Sequence, residues 1–416
     1  MFSLLQNALN RMVKAGNLIV TDADGTDHRF GDETGKVIHV QINDPSLYRK
    51  LALNPDLHTG EAYMNGKLVM KSGEIYDLLN LVASQIDYGR PESWNPVDRL
   101  RYYLRTIASF NPIHRAQKNV AHHYDLSGSF YDLFLDRDRQ YSCAYFENAS
   151  QSLEDAQLAK KRHIAAKLAL EPGMRVLDIG SGWGGLALYL AEMCDVEVTG
   201  VTLSEEQHKL SRQRVKNRGL EKRIDIRLKD YRLLDEKFDR IVSVGMFEHV
   251  GLSHFDEFFG QTRSLLIQDG AALIHTIGRP HGPAATSQWI QKYIFPGGYI
   301  PSFSEMQPAI ERCGLYTCDV EVLRVHYAET LKAWRKRFLN HWDEAAEIYD
   351  ERFCRMWEFY LAASEMSFRQ EGLNIFQVQL STHQNVLPLT RDYMVEAENR
   401  LRESDQKSRR LKSISR

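Results

Sequence analysis

Apolar and polar positions alternate in short blocks through the middle of this chain. Val176–Ile179 is an apolar run of strand length that breaks into Gly180-Ser181-Gly182-Trp183-Gly184-Gly185. Leu186–Glu192 follows with helix formers and neither glycine nor proline. The rhythm then repeats. Val196–Thr202, Ile224–Leu228, Phe238–Val244 and Ala271–Ile274 read as strands with helical stretches between them, and Ile375–Leu380 as a later strand. Strands alternating with helices predict an α/β fold with a doubly wound, mainly parallel sheet, whose ligands lie outside the strand C-termini.

The first 95 residues have a different texture. Asn17–Thr21 leads into a turn at Asp22-Ala23-Asp24-Gly25, and Val37–Ile42 alternates like a half-buried strand. Helical runs surround Ser46–Leu53 and Ile75–Ile86, and Met1–Lys14 is amphipathic. This predicts a small α+β domain over 1–95, then a basic and aromatic linker over 96–120. A catalytic domain spans 121–395, completed by a helical run over 329–368, and a charged, frayed tail covers 396–416.

The glycine loop carries the first chemistry. A strand ending in an acid, then a glycine-rich turn and a helix, places bare backbone N–H groups against a nucleoside cofactor. Gly180, Gly182 and Gly185 also satisfy G-x-G-x-x-G, which points to a dinucleotide. Asp178, two residues before the first glycine, points instead to S-adenosyl-L-methionine (AdoMet). A dinucleotide site wants an acid near the end of the second strand. Here that strand ends in Thr202-Leu203, with Ser204 as a helix cap and Gln207 in capping-box position. Asp230-Tyr231 closes the third strand, an acid beside an aromatic suited to an adenine amino group and ring. Singly, Asp230 or Gln207 reads as a solvated loop residue. In register behind the loop, they read as cofactor contacts, and AdoMet is favoured.

Beyond the fourth strand, Met246-Phe247-Glu248-His249 puts a carboxylate at a strand C-terminus. Ile274-His275-Thr276-Ile277 puts a histidine in the same place one strand over. Adjacent strands lie about 5 Å apart, so Glu248 and His275 come within reach of one small ligand. A lone histidine is more often a satisfied core residue. Behind a cofactor loop, the functional reading is the stronger one.

Composition narrows the classes. The chain has 416 residues, more than one core usually supports, and a formal net charge of −2, which argues against nucleic acid as a general partner. Its five cysteines (143, 194, 313, 318, 354) show neither a C-x-x-C pair nor zinc spacing, so no metal is expected and the thiols read as reduced and cytoplasmic. No apolar run approaches the length of a membrane span.

Tyr141-Ser142-Cys143-Ala144-Tyr145-Phe146, preceded by His123-Tyr124-Asp125-Leu126-Ser127, resembles the cyclopropane-fatty-acyl-phospholipid synthases. The Glu154–Lys160 helix, the glycine loop, Phe247-Glu248-His249 and His275-Thr276-Ile277 strengthen the resemblance, which runs from about residue 15 to 385. It implies a Rossmann-like class I methyltransferase with a seven-stranded sheet and a lipid-binding-like N-terminal domain. It also implies transfer of a methylene from AdoMet to the cis double bond of acyl chains in membrane phospholipids. By position, Cys143, Glu248, His275, Ile277 and Tyr327 would hold a bicarbonate ion that removes the ring-closing proton. Tyr141, Ser142, Asp178, Gly180, Ser181, Gly182, Trp183, Gly184, Thr202, Leu203, Gln207, Asp230 and Tyr231 would contact the cofactor. Some relatives carry a cysteine where this chain has Ser364, so a thiol nucleophile there is not expected.

With no spanning segment, such an enzyme must dock peripherally on the inner face of the membrane. Arg99, Arg101, Arg105, His114, Arg115 and Lys118, interleaved with Tyr102, Tyr103 and Phe110, suit anionic headgroups as well as they suit a solvated linker. A homodimer is an open assembly. Two alternatives stand beside cyclopropanation: a same-core methyltransferase leaving a branched methyl or methylene product, and an inactive lipid-binding protein. Intact Asp178, Gly180, Gly182, Glu248 and His275 count against the last.

Overall fold

A computed structural model describes residues 2–85, 103, 105 and 126–414, with side chains to 407. The chain forms two compact units, one of 1–103, 284–296 and 328–373, the other of 104–283, 297–327 and 374–416. The helices at 328–373 therefore cluster with the N-terminal sheet, whereas contiguity had set them with residues 121–395. Buried aromatics explain the grouping. Within that unit, Phe359 packs on both Tyr63 and Trp289, with ring centroids 6.3 and 4.7 Å apart.

In the first unit, β1 (Asn17–Thr21) pairs with β2 (Asp27–Gly31) antiparallel and with β3 (Val37–Ile42) parallel, and β4 (Leu68–Ser72) closes the sheet against β3. The strands β1 and β3 and the helices Leu47–Leu53 and Ile75–Ala83 lie where the hydrophobic pattern predicts them. β2, β4 and the helix Pro55–Met64 were not anticipated, because their polar positions hide the periodicity.

The second unit holds the expected seven-stranded sheet, in the order β10-β11-β9-β8-β5-β6-β7. Its parallel part is β5 (Arg175–Ile179), β6 (Glu197–Thr202), β7 (Ile224–Leu228), β8 (Phe238–Val244) and β9 (Leu266–Gly278). β11 (Asn374–Ser381) runs antiparallel to β9, and β10 (Tyr316–Leu323) antiparallel to β11. β10 is an exposed edge strand with a bulge and little apolar alternation, which is why the sequence did not show it. β11 is buried at every position although it carries Gln377 and Gln379. Their amide nitrogens donate to His275 Nδ1, the Lys167 carbonyl and the Tyr393 hydroxyl, while Gln377 Oε1 is buried without a partner.

One expectation fails plainly. The region after Glu398 is not frayed: Asp392–Ile414 is a helix docked by ion pairs. Arg162 donates to Asp405 at 2.9 Å, Arg402 pairs with Glu147, and His163 with Glu398. Read alone, these charges suggest solvation. Their partners lie far back in the sequence, mostly on the helix Leu153–Lys167, and composition does not reveal such pairing.

Candidate active site

The glycine loop takes its shape from two bonds to one carbonyl. The Gly180 and Ser181 N–H groups both donate to Val201 O at 3.0 Å, so the loop after β5 is tied to β6. Gly180 has φ +85°, and a Cβ there would lie 2.9 Å from Met246 Cβ. Only glycine fits both constraints. Gly184, at φ +77°, caps the helix Gly185–Cys194.

Around this loop, the ends of β5, β6, β7 and β8 and the segment 139–142 enclose one cavity. Asp178, Gly180, Ser181, Gly182 and Trp183 line its floor. Thr202, Leu203, Gln207, Asp230 and Tyr231 line a second wall, and Tyr141 and Ser142 a third. Of the expected cofactor contacts, Gly184 does not reach the lining.

The second wall is internally braced. Ser204 Oγ accepts the Gln207 N–H at 3.3 Å, the first half of the expected capping box. The reciprocal half is absent: the Ser204 N–H donates to Thr202 Oγ1 at 3.2 Å, and Gln207 Oε1 accepts from that hydroxyl at 2.8 Å. The Asp230 carboxylate accepts from the backbone and guanidinium of Arg232 at 2.7–3.0 Å, which fixes its orientation at the rim.

Asp178 is 2% exposed, and its Oδ2 has no hydrogen-bond partner. Burial pushes this carboxyl up to about 7, opposed only by the charge of Lys160. A buried carboxyl without a donor beside a glycine cradle fits an incoming cation, so the residues present suit AdoMet.

The expected catalytic residues Glu248, His275, Cys143, Tyr327 and Ile277 do not line this cavity. Glu248, on the turn after β8, accepts the Ile277 N–H at 2.7 Å through Oε1, while Oε2 is buried without a partner. Burial raises Glu248 to about 7. His275 pairs with Val244 across β8 and β9, and its carbonyl accepts the N–H of Gly245, a residue of the cavity wall. Its Nδ1 faces the Gln377 amide nitrogen at 3.1 Å, and Nε2 is buried and unpartnered. Burial holds His275 well below its ordinary value, hence neutral, and with Nδ1 accepting, Nε2 carries the proton. Cys143 is buried next to Ser142. Tyr327 is half-buried beside His326, whose Nδ1 accepts the Phe146 N–H.

The Phe247 ring is plain core, packed on Phe255, Phe258 and Phe259. Tyr145 is stacked between His163 and His326 at centroid distances of 4.2 and 5.0 Å. Most of the basic segment, Arg99, Arg101, His114, Arg115 and Lys118 included, lies outside the described residues. Arg105 is within them, with Nε 3.4 Å from Glu305.

Sequence reading passed over Lys160 as a site residue, although it lines the cavity. Its spacing three residues after Gln157 was the available signal, since i and i+3 share a helix face. Gln157 donates to the Gln140 and Ser142 carbonyls at 3.2 and 2.9 Å, and Lys160 donates to the side chains of the same two residues.

The family of mycolic acid cyclopropane synthetases matches residues 112–378, and a domain family of unknown function matches residues 4–88. A cyclopropane-fatty-acyl-phospholipid synthase of Escherichia coli is 39% identical over 345 residues, covering 82% of this chain and 87% of that protein. A probable fatty acid methyltransferase of Pseudomonas putida is 37% identical over 351 residues, covering 82% and 86%. Among solved structures, the mycolic acid cyclopropane synthase CmaA1, complexed with S-adenosylhomocysteine (SAH) and CTAB, superposes with a TM-score of 0.62 at 35% identity, over 65% of this chain and 99% of that one. With the fold, the cavity and these matches in agreement, the chain belongs to the mycolic acid cyclopropane synthetase family.

Proposed function

We propose that this enzyme adds a one-carbon unit from AdoMet to the cis double bond of unsaturated acyl chains carried on phospholipids, closing a cyclopropane ring. The observation that carries the reading is the cavity itself, which gathers Asp178, the glycine loop, Gln207 and Asp230 around one space at the strand C-termini. Bound there, AdoMet would supply an electrophilic methyl group on its sulfonium. The glycine loop and Asp178 would orient its polar end, and Tyr231 and Asp230 the adenine. An alkene is a weak nucleophile, so the chain's contribution is close positioning and exclusion of water.

Ring closure requires loss of a proton from the new methyl group. Glu248 Oε2 and the His275 Nε2–H are buried polar atoms with no protein partner, and together they suit a small oxyanion. Glu248, Cys143, His275 and Tyr327 would hold bicarbonate, the base at this point. The Ile277 N–H is already committed to Glu248, so Ile277 acts by fixing that carboxyl.

A second reading, a branched methyl or methylene product, draws on the likeness to the Pseudomonas putida protein, named as a fatty acid methyltransferase. Mass spectrometry of lipids from cells expressing the chain tests both readings. A gain of one CH₂ with ring protons in NMR supports the first. A branch without ring protons supports the second.

No helix among the described residues is long and apolar enough to cross a membrane. We propose peripheral docking on an anionic surface through the 99–118 segment. Cosedimentation with anionic vesicles that does not weaken as salt rises would contradict it.

A further inference from the structure

We propose that Lys160 binds the carboxylate of the cofactor's amino-acid end, opposite Asp178, which takes its ammonium group. The inference rests on the AdoMet reading and assigns a residue to it.

Lys160 is 1% exposed and lines the cavity. Its Nζ donates to Gln140 Oε1 and Ser142 Oγ, each at 2.8 Å. Both acceptors are neutral, and an ammonium has three protons to place. The other lysines buried in this unit are handled differently: Lys161 and Lys167 each meet a carboxylate directly, Asp138 and Glu321. Lys160 meets none among the described residues. Asp136, the next acid, spends its two oxygens on the Gln140 and Asp138 N–H groups at 2.8 and 3.0 Å.

The cavity thus contains an ammonium in direct contact with no carboxylate and, in Asp178, a carboxyl with no donor, the two acting on each other only at a distance. A buried charge is normally paired. A zwitterion bearing one carboxylate and one ammonium on a single carbon satisfies both groups at once, and the methionine end of AdoMet is such a group. Charge states agree with this. Burial draws Lys160 down to about 8 and Asp178 up to about 7, so each charged form is less favourable here than in water and gains from an arriving counter-charge. Besides Asp178, the charged or titratable groups coupled to Lys160 include Asp136, Lys161, Cys143, Asp138 and His275, and Lys161 is already paired.

The rival role is a strap that merely holds 140–142. Calorimetry on the full-length protein separates the two, using AdoMet, SAH, decarboxylated AdoMet and methylthioadenosine. A charge-assisted contact predicts that the wild type binds AdoMet about 10- to 100-fold tighter than its decarboxylated analogue. Lys160→Met should erase that preference, weakening AdoMet and SAH while leaving the two ligands without a carboxylate unchanged or improved. Equal wild-type affinity for AdoMet and its decarboxylated analogue overturns the proposal without any variant. Equal weakening of all four ligands in Lys160→Met overturns it in favour of the strap. A wild type that binds none of the four contradicts the cofactor reading itself.

Discussion

Glu248 accepts the Ile277 N–H at 2.7 Å, locking the turn after β8 onto β9 while its second oxygen stays buried without a partner. One oxygen positions and the other is open to chemistry. Glu248→Gln preserves the first function and removes the second. Product formation should fall by roughly 10² or more, the usual scale for a lost acid–base partner, and His275→Ala should do the same. AdoMet affinity should be unchanged in both, and added bicarbonate should stimulate enzyme prepared free of it. Turnover near that of the wild type would make both residues structural.

The same carboxyl links stability to pH. Folded Glu248 titrates at about 7 against an ordinary 4.5, so the folded protein keeps a proton that the unfolded chain releases. Its stabilising contribution is fully present below 4.5 and is lost as pH rises through 7. A shift of this size corresponds to on the order of 3 kcal/mol. Asp178, raised from 3.8 to about 7, adds to the loss over the same window. Urea unfolding at pH 5 and pH 8 should therefore show a smaller drop for Glu248→Gln than for the wild type. Parallel losses would place the carboxyl in a more polar setting than the one described.

At the cofactor loop, Gly180→Val meets Met246 and a backbone at φ +85°. Asp178→Ala leaves the fold intact and removes the carboxyl at the strand end. Both should abolish AdoMet binding in calorimetry. Unchanged affinity in a folded variant would reject the loop as the cofactor site.

The C-terminal helix should contribute to stability through Arg162. That guanidinium and Asp405 are both almost fully buried and lie 2.9 Å apart. Asp405→Ala removes one of the two carboxylates on this cation, Glu147 at 3.0 Å being the other, and should cost about 2 kcal/mol. A single variant as stable as the wild type would show the helix to be undocked in solution.

What was legible in the sequence follows from local chemistry. The five parallel strands and the glycine loop announce themselves because apolar runs and glycines are local signals. The clustering of Asp178, Gln207 and Asp230 followed from strand order alone. β10 was hidden because an edge strand has no need to be apolar, and the partition of 328–373 because it depends on Phe359 meeting Tyr63 and Trp289. Lys160 was hidden for a different reason. A lysine on a helix reads as solvated until its neighbours, 18 and 20 residues back, are seen to enclose it.

The central claim is that the methyl carbon of AdoMet ends in a phospholipid acyl chain. Purified enzyme incubated with AdoMet carrying a ¹³C methyl and vesicles of monounsaturated phospholipid tests it directly. The account predicts acyl chains heavier by one labelled CH₂, with the ¹³C resonance in the cyclopropane region. Label confined to a headgroup, or absent from lipid while AdoMet binds normally, would contradict it.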